Sequence, residues 1–130
     1  MSKFLEPKTH GILDYALIAA FFAAPAIFEF ADRATTLSYL IGAVYLGTSL
    51  LTRYPLGLLK WIPFPLHGIL ETLMAVGFIA FPWFFGFAED AAARNFYVVA
   101  GIGLLTIVAL TDYRGRGTGE STSRTDMHHA

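Results

Sequence analysis

Four long apolar stretches dominate this chain, running from about residue 11 to 30, 35 to 51, 66 to 87 and 96 to 111. Each holds about 16 to 22 residues, and at 1.5 Å per residue a helix of about that length crosses most or all of the roughly 30 Å hydrocarbon core of a bilayer. The composition agrees, because 55% of the 130 residues are hydrophobic and only 15% are charged, with a mean hydropathy of +0.55. The expected fold is all-α, a bundle of four transmembrane helices whose first partner is the lipid bilayer. Lys3 and Lys8 ahead of the first stretch, with the small residues of "AAPA" inside it, also fit a signal peptide. The third stretch repeats the first and cannot be a signal, so the first is read as a membrane helix.

The same composition removes several functions. A net charge of -1, with nine scattered Lys and Arg, provides no basic surface to neutralise a phosphate backbone, so nucleic acid is not an expected partner. The absence of cysteine removes disulfides, thiol nucleophiles and thiolate metal sites, leaving His and carboxylate as the available metal ligands. There is no Gly-rich phosphate loop, serine elbow or HExxH zinc helix. No enzymatic activity is expected.

Short polar segments around Glu29–Thr35 and Glu89–Asn95 read as turns of antiparallel hairpins, and the Pro-rich segment Arg53–Pro65 as an interfacial linker. Residues 1–113 then form the membrane domain. The Gly-, Ser- and Thr-rich segment 114–130, which contains His128 and His129, reads as a disordered tail. Lys3, Lys8, Arg53, Lys60, Arg114, Arg116 and Arg124 fall on one side of the expected membrane and only Arg33 and Arg94 on the other. The positive-inside rule places both termini in the cytoplasm.

The chain repeats itself. "THGILD" at residues 9–14 returns as "LHGILE" at 66–71, an offset of 57 that also pairs Pro25 with Pro82, Phe28 with Phe85 and Phe30 with Phe87. In the second half of each unit the offset becomes 59, pairing Gly42 with Gly101 and "LTRY" (51–54) with "LTDY" (110–113). Two tandem helical hairpins are expected, about 7–54 and 64–113, duplicated from one unit. Both enter from the same side, so a pseudo-two-fold axis along the membrane normal should relate them as parallel repeats.

"FPWFFGF" (81–87), followed by a short polar loop and a glycine-bearing helix, resembles the SPW repeat of bacterial integral membrane proteins. Pro82, Trp83, Gly86 and Phe87 carry the likeness, and Phe81 replaces the serine. In the first half only Pro25, Phe28 and Phe30 keep the pattern, with Glu29 in place of the glycine. The resemblance, over about residues 7–113, implies the two-repeat, four-helix members, a bacterial inner-membrane location and no established activity. Pro25 and Pro82 should bend the outer ends of their helices, and Trp83 should anchor at the interface. Gly42, Gly47, Gly101 and Gly103 should let helix backbones approach.

What can carry chemistry is a polar cluster. His10 and Asp14, like His67 and Glu71, are four residues apart and share a helix face. If the first and third helices meet near the axis, these four converge, with Tyr54 and Tyr113, and Thr52 and Thr111 nearby. The bland reading is a structural clasp: the histidines lie at a hydrated interface, and the carboxylates serve amides of the first helical turn. The alternative is a metal site for Zn, Mn or Fe, or a proton-handling site in a small transporter. Haem ligation by the two histidines ranks below both. We expect a structural or accessory membrane component without a resident cofactor, packing as a homo-oligomer or with a larger membrane partner.

Overall fold

The computed structural model describes residues 5–113, and the segment 114–130, with His128 and His129, lies outside the described residues. Four helices follow one another: α1 (Pro7–Ile27), α2 (Asp32–Leu50), α3 (Phe64–Phe84) and α4 (Ala91–Leu110). α1 packs along α2 and α3 along α4, while the two hairpins meet through α1 with α4 and α2 with α3. Three of the helices, α1, α3 and α4, are long and apolar enough to cross a membrane. The exception is α2, which holds Asp32, Arg33, three threonines and two serines. Two of its hydroxyls are bonded within the helix, Ser38 donating to the Ala34 carbonyl and Thr48 to that of Val44, and Thr35 donates to the Phe30 carbonyl just ahead of it. Bonding inside the helix is how such residues are tolerated at membrane depth.

The helices begin earlier than the apolar stretches suggest. α1 opens with Pro7, whose fixed φ and missing N–H suit the first helical position. α4 opens five residues before Phe96 because Asp90 caps it, accepting from the Ala93 amide at 3.2 Å. A capped first turn is polar, so hydropathy alone does not register it.

Repeat-equivalent residues meet one another across the molecule, which locates the axis. The rings of Phe21 and Phe78 lie 4.8 Å apart, those of His10 and His67 5.7 Å apart, and the hydroxyls of Ser38 and Tyr97 2.9 Å apart. The start of each repeat pairs with the end of the other. Leu5 N donates to Leu110 O at 3.0 Å and Asp112 N to Leu5 O at 2.8 Å; Ile62 N donates to Leu51 O and Arg53 N to Ile62 O, both at 2.7 Å. Aromatic and aliphatic side chains fill the space between, including Phe21, Phe78, Tyr97 and Leu104. Large apolar side chains such as Val44, Leu73, Val99 and Ile102 cover the outside, as a lipid-facing surface requires.

Candidate functional site

His10 is the fourth residue of α1 and Asp14 the eighth; His67 and Glu71 hold the same places in α3. The i,i+4 spacing puts each pair on one face, and the pseudo-axis brings the faces together. All four residues have 0% exposure. This corrects the expectation of a hydrated interface. The carboxylates do not serve first-turn amides either, because their partners are histidines and tyrosines.

Glu71 divides its oxygens between the histidines, Oε1 at 2.7 Å from His10 Nε2 and Oε2 at 2.7 Å from His67 Nε2. Asp14 Oδ2 lies 3.0 Å from His67 Nε2 and accepts from Tyr54 at 3.1 Å, and it is 3.4 Å from His10 Nε2. Asp14 Oδ1 accepts from Tyr45 at 2.7 Å. On their far side the histidines meet threonines: His10 Nδ1 is 2.6 Å from Thr111 Oγ1, and His67 Nδ1 is 2.6 Å from Thr52 Oγ1.

These threonines fix the tautomer. Each has one hydroxyl proton and donates it to a carbonyl of its own helix, Thr111 to Ile107 and Thr52 to Thr48, both at 2.6 Å. The hydroxyl oxygen is therefore the acceptor, and each Nδ1 carries the donated proton. Both Nε2 atoms face the carboxylates. A nitrogen and a carboxylate oxygen 2.7 Å apart need a proton or a cation between them, since two lone pairs would repel.

Tyr54 and Tyr113 are repeat equivalents just beyond α2 and α4, but only Tyr54 reaches a carboxylate. The Tyr113 hydroxyl is buried and makes no hydrogen bond among the described residues. Burial first, and then nearby carboxylate charge, raises both phenols above their ordinary range. The glycine after each histidine receives these rings. A Cβ at Gly68 would lie 2.7 Å from the Tyr113 ring, and one at Gly11 would lie 3.2 Å from that of Tyr54.

At the opposite end of the bundle α1 and α3 stop in the same way. Phe30 N donates to Pro25 O at 3.0 Å, and Phe87 N to Pro82 O at 2.8 Å. The residue between helix cap and phenylalanine is left-handed, Gly86 at φ 77° and Glu29 at φ 53°. This is a Schellman ending, in which a left-handed residue turns the chain so that its last carbonyls are satisfied.

The family model of the SPW repeat domain matches residues 8–111. The chain belongs to the SPW repeat family. No curated protein and no solved structure matches it. In this SPW repeat protein the Pro-Trp and Gly-Phe pairs build a helix end. Pro82 sits where the returning amide of Phe87 finds its carbonyl, Gly86 supplies the positive φ, and Phe87 tucks in 5.0 Å from the Tyr97 ring. Trp83 is exposed on the outside, the position an interfacial anchor takes.

The glycines divide. A Cβ at Gly42 would lie 2.8 Å from the Phe22 ring and one at Gly101 2.6 Å from the Ala75 carbonyl, so both mark close approaches. A Cβ at Gly47 or Gly103 would meet nothing within 4 Å among the described residues, which corrects their expected role in backbone packing. Tyr45 is the site residue that sequence reasoning missed. Its repeat counterpart is Leu104, so the comparison of halves that exposes the histidines is silent about it. Each histidine Nε2 is held 2.7 Å from a Glu71 oxygen, an arrangement that does not call for haem.

Proposed function

We propose that this SPW repeat protein is a structural or accessory component of the bacterial inner membrane. In this reading it arose by duplication of one hairpin, lies with both termini in the cytoplasm, and uses the buried cluster to key the hairpins together. The observation that carries the reading is the closure of the cluster upon itself. His10, Asp14, His67 and Glu71, all at 0% exposure, spend their polar atoms on one another and on Thr52, Thr111, Tyr45 and Tyr54. Two further ties across the hairpins support it: Tyr97 bonds Ser38 at 2.9 Å, and Asp90 accepts from the Ala31 amide at 2.7 Å. The seven-to-two distribution of Lys and Arg supports the orientation. Its apolar exterior suits lipid first, and a second copy or a larger membrane protein after that.

The test is reconstitution into liposomes alongside melting in detergent. Wild type should leave an imposed proton gradient intact, and His10→Ala with His67→Ala should melt at a lower temperature. A proton flux that disappears in the double variant would replace this reading with an ion-handling one.

A further inference from the structure

We propose that His10, Asp14, His67 and Glu71 are the ligands of one divalent transition-metal ion, zinc foremost, that locks α1 to α3. The proposal rests on the reading of the cluster as the key between hairpins and names what turns it.

Geometry is the first ground. One ligand atom from each residue lies within 4.8 Å of all the others. An ion with bonds of about 2.0 to 2.2 Å in tetrahedral array holds its donors about 3.4 Å apart. Asp14 Oδ2 is 3.4 Å from His10 Nε2 and 3.0 Å from His67 Nε2, and Glu71 reaches the two nitrogens at 2.7 Å through its two different oxygens. Admitting the ion takes a turn of the Glu71 carboxylate to present one oxygen, with the short pairs moving apart around a centre that all four residues already face.

The surroundings are the second ground. A metal-ligating histidine donates its other ring N–H to an acceptor that fixes the tautomer and orients the ring. Thr111 and Thr52 do this for His10 and His67, identically in both repeats. Tyr45 steadies Asp14 through Oδ1, leaving Oδ2 as the inward ligand. The buried Tyr113 hydroxyl makes no hydrogen bond among the described residues and lies beside α3, against Gly68. When Glu71 binds an ion through one oxygen, its other oxygen becomes free to accept a hydrogen bond, and Tyr113 is a donor in want of one.

Charge is the third. Two carboxylates at 0% exposure are costly to hold in a low-dielectric interior unless balanced. A dication with two neutral imidazoles balances them within the ligand set. Four protein ligands with no open position describe a structural centre, and a set of two nitrogens with two oxygens suits zinc ahead of ions that take six oxygens.

The experiment uses the full chain without an affinity tag, with His128→Ala and His129→Ala so that the C-terminal histidines cannot bind metal. Purified from membranes, exposed to Zn²⁺ and dialysed, it should retain one ion per chain, and Co²⁺ in its place should give the strong visible bands of a four-coordinate site. Glu71→Gln, nearly the same in shape, should retain less than a tenth as much. EDTA should lower the melting temperature of the parent chain and leave Glu71→Gln unaffected. Substoichiometric metal in the parent chain, or equal metal in the variant, overturns the proposal. A parent chain that takes no ion while Glu71→Gln melts early retires the metal and keeps the keyed hairpins. Uptake with no effect of EDTA or of the variant on melting retires the key instead.

Discussion

One methylene distinguishes Glu71 from Asp14, and it accounts for the asymmetry of the cluster. The longer side chain spans both histidines, one oxygen each, while the shorter one stays close to α2 and takes two phenols. Glu71→Ala would leave two histidines without their shortest carboxylate contact, and removing one member of a buried ionic set costs about 3 to 5 kcal/mol. Chemical denaturation in detergent measures that loss. Tyr45→Phe removes one hydrogen bond to a charged group and should cost about 1.5 to 3 kcal/mol in the same assay. Tyr54 and Tyr113 are phenols held neutral by burial and neighbouring charge. In the folded protein they should remain protonated above the ordinary phenol value of about 10, whereas the unfolded chain ionises there. Their contribution to stability is therefore complete below about pH 10 and falls as pH rises beyond it. Ultraviolet titration of wild type against Tyr54→Phe and Tyr113→Phe follows both. The histidines and carboxylates were legible from the sequence because the repeat marks them twice. The division of oxygens was not, since it depends on side-chain length across an interface that no local pattern describes.

Among the helices, what hydropathy reveals is the middle and what it hides is the ends. The polar opening turn of α4 belongs to a cap, and the endings of α1 and α3 are set by one left-handed residue. Glycine enters that conformation freely, whereas a side chain there costs about 1 to 2 kcal/mol. Glu29→Gly should therefore raise stability by about 1 kcal/mol, and Gly86→Ala should lower it by a similar amount, both read from melting. The contact between α3 and α4 supplies a sharper contrast. Gly101→Ala drives a methyl toward the Ala75 carbonyl, 2.6 Å away, and such overpacking costs about 1 to 3 kcal/mol. Gly103→Ala, two residues on, meets nothing within 4 Å and should be neutral or slightly stabilising. A glycine in a membrane helix does not announce which kind it is; the neighbouring backbone decides.

For the molecule as a whole, orientation is the property most open to direct test. The chain contains no cysteine, so Lys60→Cys and Glu89→Cys each report one side. In intact cells an impermeant maleimide should label Glu89→Cys and spare Lys60→Cys; the reverse pattern would invert the topology. The four-helix plan was legible in the sequence, but α2 shows its limit, since its hydroxyls depress hydropathy even where, as at Ser38 and Thr48, they bond within the helix. The crossed pairing of Leu5 with Thr111 and Ile62 with Thr52 has a consequence for chain connectivity. Hydrogen bonds already join the beginning of the first hairpin to the finish of the second, in the manner that the linker joins the other two ends. Residues 5–113 form a ring in all but one covalent junction, and the order of the two halves is a matter of where that ring is cut. A gene recut between residues 55 and 60, with a short Gly-Ser joint from 113 to 5, should encode the same bundle with its hairpins exchanged.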